Sequence, residues 1–268
     1  MRKTIFALTA VVAACMLTLF ACRKNVKTES DTPPPSSDVP ADVLAKIYDL
    51  GFSNKNVIAD GNGNYIVEGD ILISQKELDA KPEMQFLRVG EEEQYRTNNL
   101  VTGLPRNITV SMSSALNTWS TALNTALSRY NALGLRITFT RVSSGGNIQI
   151  VNGSGGFLAS AGFPSGGNPY NRVILNNSAV SGQPQNTVAT ILAHEIGHCI
   201  GFRHTDYMNR SYSCGGSPVN EGSAGVGAVL IPGTPSGPDP NSWMLSCIGS
   251  GQNRPFNAND ITALNYLY

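Results

Sequence analysis

Only three histidines occur in this chain of 268 residues, and all of them fall inside one short segment, His194-Glu195-Ile196-Gly197-His198-Cys199-Ile200-Gly201-Phe202-Arg203-His204. On an α-helix, residues four apart lie about 40° from each other around the axis and one turn along it, so His194 and His198 offer their rings side by side to one ion. A continued helix would carry His204 about 15 Å along the axis from His194, far beyond a zinc–nitrogen bond of about 2 Å. The chain therefore has to turn back. Gly201 is the residue that permits it, because glycine enters the left-handed conformation at little cost and commonly ends helices there. Any fold for this chain must stop a helix near residue 200 and aim a third ring at the first two.

Three protein ligands leave one position of a tetrahedral Zn²⁺ open, which is how catalytic sites are built and structural ones are not. Glu195, next to the first ligand, sits beside the metal without occupying a coordination position, as a general base for metal-activated water requires. Cys199 lies about 100° around the helix from His198 and is expected to pack into the core. No spacing of oxygen ligands compels a Ca²⁺ site.

Charged residues are 14% of the chain, and nineteen acidic residues cancel nineteen basic ones. Nucleic acid is excluded as an expected partner, since it calls for a basic stripe. The N-terminus carries Arg2 and Lys3 before an apolar run ending at Cys22, which reads as an export signal. Leu19-Phe20-Ala21-Cys22 resembles the lipobox of bacterial lipoproteins, with Cys22 as the acylated residue. Val12-Ala13-Ala14-Cys15 fits the pattern less well, and an uncleaved membrane anchor is the remaining alternative. Residues 23–40, centred on Pro33-Pro34-Pro35, read as a disordered tether. The expected location is the bacterial cell envelope, lipid-anchored or secreted, and the expected state is a monomer.

Beyond the tether, residues 41–99 form a first unit, a pro-segment or accessory domain. It has a helix over 41–48, a turn cluster at 60–64, one strand over 65–73, and an exposed connection over 90–99. Residues 100–268 form the second unit. There the pattern predicts a strand over 107–112 and a helix capped by Ser113 or Ser114, with Leu116, Trp119, Leu123, Leu127 and Tyr130 on its buried face. Strands over 135–142, 147–151 and 172–175 follow, then a long helix over 187–200 and a last helix over 259–267. This order gives an α+β fold on one twisted mixed sheet. An envelope setting favours disulfides among Cys199, Cys214 and Cys247. Cys214 and Cys247 flank the long loop after the histidines and are the expected pair, with pairings through Cys199 as the rivals.

His-Glu-x-x-His-x-x-Gly-x-x-His is the signature of the metzincin metallopeptidases, and the spelling His194-Glu195-Ile196-Gly197-His198 resembles the dual-action HEIGH metallopeptidases. The resemblance implies a zinc endopeptidase acting on polypeptides, with His194, His198 and His204 as ligands and Glu195 as base. Ser242-Trp243-Met244-Leu245-Ser246-Cys247 resembles the metzincin methionine turn, which makes Met244 the floor of the site. Residues 157–175 resemble the edge strand that pairs with extended substrate, and 256–268 the closing helix. Astacins often carry a tyrosine shortly after the turn methionine; here Leu245 and Ser246 stand there, so no tyrosine ligand is implied. Glu68-Gly69-Asp70-Ile71 resembles the astacin pro-segment element, which implies Asp70 as a zymogen switch on the zinc, released by a cut between Leu87 and Leu100 at Arg88 or Arg96. The competing reading is a lipid-anchored binding protein or adhesin with a metzincin-like fold and a non-catalytic metal.

Overall fold

The computed structural model describes residues 39–79, 94–223, 225–235 and 237–268. The signal, Cys22 and Arg88 lie outside the described residues. Eight strands make one mixed sheet, with β1 (Ile58–Ala59), β2 (Asn64–Val67) and β3 (Ile71–Ser74) from the first unit. The second unit supplies β5 (Arg106–Met112), β6 (Ile137–Arg141), β7 (Ile148–Asn152), β8 (Ala159–Ala161) and β9 (Arg172–Leu175). The order is β1-β2-β3-β8-β9-β7-β5-β6, with β8 antiparallel to β9 and parallel to β3. A separate two-stranded ribbon joins β4 (Tyr95–Arg96) to β10 (Val229–Leu230).

Period-two alternation puts Ile108, Val110 and Met112 of β5 and Ile148 and Ile150 of β7 on one face. That face is covered by α3 (Ser120–Asn131) and α4 (Gln185–Cys199), which pack on each other, and the final helix α6 (Ala258–Leu267) joins the same core. α4 is buried along most of its length, from Thr187 to Cys199, so its sequence shows little amphipathic contrast. The N-terminal helix α1 (Ala41–Asp49), α2 (Gln75–Asp79), Phe52, Val67, Ile71 and Ile73 form a smaller cluster of their own around Phe163.

Three expectations are corrected. The single strand over 65–73 is a hairpin, because Glu68 (φ 55°) and Gly69 (φ 92°) both take left-handed backbone and reverse the chain between β2 and β3. The helix after Ser113 opens as a 3₁₀ turn, Ser114–Trp119, before becoming α-helical. Within the expected exposed connection, residues 94–97 are not exposed: Gln94, Tyr95 and Thr97 are buried, and Gln94 Nε2 donates to Asp260 at 2.7 Å. Arg96 consequently stands in a paired strand that also bridges to Phe202, a poor place for proteolysis.

Candidate metal centre

α4 presents His194 and His198 from its last two turns, with ring centroids 4.6 Å apart. The helix ends at Cys199, the N–H of Phe202 returns to Gly197 O at 3.0 Å, and Gly201 takes φ 111°. A β-carbon at 201 would meet Asn99 O at 2.7 Å, so the turn needs glycine for room as well as for conformation. The return brings the His204 ring centroid to 5.3 Å from His194 and 4.9 Å from His198. All three histidines are buried.

The outer nitrogens decide which way the rings face. His194 Nδ1 lies 2.8 Å from Trp243 O and His198 Nδ1 2.8 Å from Phe202 O. Carbonyl oxygens only accept, so both Nδ1 atoms carry the proton and both Nε2 lone pairs point inward. Those two Nε2 atoms are 3.0 Å apart. Asp70 Oδ2 joins them, 3.3 Å from His194 Nε2 and 3.0 Å from His204 Nε2. The four ligand atoms lie within 4.8 Å of one another. Lone pairs gathered this closely repel unless a cation sits among them, and three imidazoles with one carboxylate are a donor set suited to zinc.

Burial pushes the Asp70 carboxyl up, but the charge of His204 and the close contacts with His194 and His204 outweigh it and hold the group well below the ordinary carboxylate range. Burial would lower His204, yet Asp70 and Glu221 on either side hold it well above its usual value. His198 is pushed well down by burial and by its two neighbouring histidines. Glu195 is raised well above its usual value by burial and by the charge of Asp70, and its buried Oε2 has no hydrogen-bond donor among the described residues.

Met244 is fully buried beneath α4. A β-carbon on Gly197 would come within 2.6 Å of its Sδ, so this glycine lets the methionine turn approach the helix. A disulfide joins Cys214 to Cys247, and Cys199 is free and buried. Beside the histidines opens a cavity of about 250 Å³, bordered by Asp70, Glu195, Ile191, Leu245, Leu158 and Arg254. The β8 edge that faces this region is taken by the chain's own β3, where Ala161 N–H donates to Asp70 O at 2.9 Å.

Four participants were not singled out from the sequence: Glu68, Arg203, Arg210 and Glu221. Arg203 is buried and pairs with Glu68 at 2.9 Å and Glu221 at 3.6 Å, while Glu221 takes His204 Nδ1 at 2.8 Å. A signal existed. An arginine inside a buried ligand motif needs carboxylates, and Glu221 is one of three acids, with Asp206 and Asp239, in the long loop between His204 and Trp243.

Comparison with the curated proteins finds no match. Among solved structures, two of myroilysin align with this chain. One has 16% identity and a TM-score of 0.41 and covers 63% of this chain and 96% of that one; the other has 14% and 0.42 and covers 70% and 99%. The hatching enzyme HCE-1 of the medaka fish Oryzias latipes, a zinc-protease, aligns at 17% identity and TM-score 0.34 over 60% of this chain and 88% of that one. The sequence profile of the dual-action HEIGH metallo-peptidases matches residues 65–268, which takes in both the histidine cluster and Asp70. The chain belongs to the dual-action HEIGH metallo-peptidases.

Proposed function

We propose that the protein is a zinc-dependent endopeptidase whose metal is held by His194, His198 and His204, with Glu195 as general base and Asp70 as the fourth ligand of the intact chain. The observation that carries this is the convergence of three inward-facing Nε2 atoms and Asp70 Oδ2. Zinc held there supplies Lewis acidity to a scissile carbonyl and makes a water molecule easier to deprotonate. Glu195 takes the water's proton and delivers it to the leaving amine.

With zinc held there, Asp70 would take the position that water needs, and β3 occupies the β8 edge along which an extended substrate would add a strand. The intact chain is thus a precursor. A cut at Arg88, in the stretch between α2 and β4, would release residues 41–79 from the catalytic unit. Before that cut Cys22 serves as a lipid anchor at the cell envelope; the freed catalytic unit acts on polypeptides.

The test compares the intact chain, Asp70→Ala and Glu195→Gln on casein and on a peptide library, with zinc content measured in each. Cleavage is expected from Asp70→Ala, little from the intact wild type, and none from Asp70→Ala/Glu195→Gln despite full zinc. Equal turnover with and without Glu195 ends the endopeptidase mechanism. An intact wild type as active as Asp70→Ala ends the precursor reading.

A further inference from the structure

His204 stands apart from the other two histidines. They ride on α4 and rest on backbone carbonyls that the fold supplies in any case, whereas His204 follows the Gly201 reversal and lies outside the helix. Its outer nitrogen faces a side chain instead: Glu221 Oε1 at 2.8 Å and Oε2 at 3.0 Å. Glu221 is 1% exposed and is itself held from several directions. Arg203 reaches it at 3.6 Å, Arg210 at 3.2 Å and Ser246 Oγ at 3.3 Å, and its own N–H donates to Tyr207 O at 2.8 Å.

We propose that Glu221 is a positioning residue for the metal centre, fixing the ring of His204 so that its Nε2 faces the other two. A carboxylate 17 residues downstream does for the third ligand what the Trp243 and Phe202 carbonyls do for the first two. It keeps the proton on Nδ1 and stops rotation about the side chain, and a carboxylate partner strengthens the imidazole as a donor more than a carbonyl does. Arg210 reaches Oε1 and Arg203 reaches Oε2, the same two oxygens that face the ring, so the carboxylate's geometry does not depend on the metal being bound. The proposal rests on His204 being a zinc ligand.

The experiment measures zinc affinity of the full chain by chelator competition in mildly alkaline buffer, where protons compete least. It uses wild type, Glu221→Gln, Glu221→Ala and His204→Ala, and each Glu221 variant again in the His204→Ala background. Unfolding of the metal-free forms is followed separately. Affinity should fall about tenfold for Glu221→Gln and about a hundredfold for Glu221→Ala. Neither should lower it further once His204 is gone. Cobalt-loaded Glu221→Gln should show a shifted visible spectrum. A wild-type affinity and spectrum in Glu221→Gln overturns the proposal, and so does an equal loss in the His204→Ala background, which would mark Glu221 as a packing residue only. Should Glu221→Ala fail to fold, Glu221→Gln decides. If His204→Ala binds zinc as tightly as wild type, the ligand assignment itself falls.

Discussion

The centre is built by two regions that hold their ligands in opposite ways. In the α4-to-His204 segment every ligand has an outer partner, in Trp243 O, Phe202 O and Glu221, and the surrounding core is continuous with the main sheet. In the 41–79 segment, Asp70 meets the cluster through one oxygen, while its other, Oδ1, is buried without a hydrogen-bond partner among the described residues. Its backbone arrives through two consecutive left-handed residues, and its apolar residues form a satellite cluster. The first arrangement suits ligands that never leave and the second a ligand that is displaced. Carboxylate exchange at a metal costs little structure when the carboxylate brings no further bonds with it.

The largest expected effect tests the permanent side. Glu195→Gln should lower cleavage by about 10² to 10⁴ with zinc content unchanged, read in a variant already freed of Asp70. A loss of zinc along with activity would mean that Glu195 holds the site together and is not simply its base.

Next come changes that separate the two regions by stability. Reducing the Cys214–Cys247 bridge, which spans 33 residues, should destabilise the unit by about 3 kcal/mol in denaturant titration. Gly201→Ala should cost about 1 to 3 kcal/mol, since alanine at φ 111° is strained and its β-carbon has no room beside Asn99 O. That variant should also bind zinc more weakly, because the turn aims His204. Glu68→Gln should cost about 1 to 3 kcal/mol, because Arg203 keeps Glu221 when it loses Glu68. Hydrogen exchange should place this last loss in residues 58–74 and leave α4 protected; uniform deprotection would deny that the regions are separable.

The smallest effect is a pH dependence of the metal-free chain. His204 and Glu195 have raised folded-state values, so the stability they contribute is present at low pH and is lost as pH rises through those values. His198 is depressed, so its contribution is present above about 6.5 and is lost below. Thermal stability without zinc should therefore peak near neutral or slightly acidic pH and fall on the alkaline side. Zinc, which replaces the proton between His204 and Asp70, should flatten the alkaline fall.

The histidine motif was legible because local geometry constrains it: two rings four apart on a helix, and a glycine where the helix must end. β5, β7 and α3 were legible through their periodic burial; α6, expected over 259–267, starts at Ala258 because Asn257 caps it, its side chain accepting from Asp260 N. The hairpin at Glu68-Gly69 was not, because a left-handed glutamate has no local signature and the flanking apolar residues read as one strand. The buried strand β4 was hidden for a related reason. Gln94 is polar in sequence, but its Nε2 donates to Asp260 and Ser242, more than 140 residues away. Glu221 was hidden likewise, since what gives it a role is His204 across a loop without periodicity.

The most direct measurement is zinc-edge anomalous diffraction on crystals of the intact, zinc-loaded chain. One zinc is expected within about 2.0 to 2.2 Å of His194 Nε2, His198 Nε2, His204 Nε2 and Asp70 Oδ2. In crystals of the cleaved form, the three nitrogens should remain and the carboxylate should be gone. A zinc bound away from these histidines, or an intact chain whose zinc carries water while Asp70 stands apart, would contradict the division between permanent and displaceable ligands.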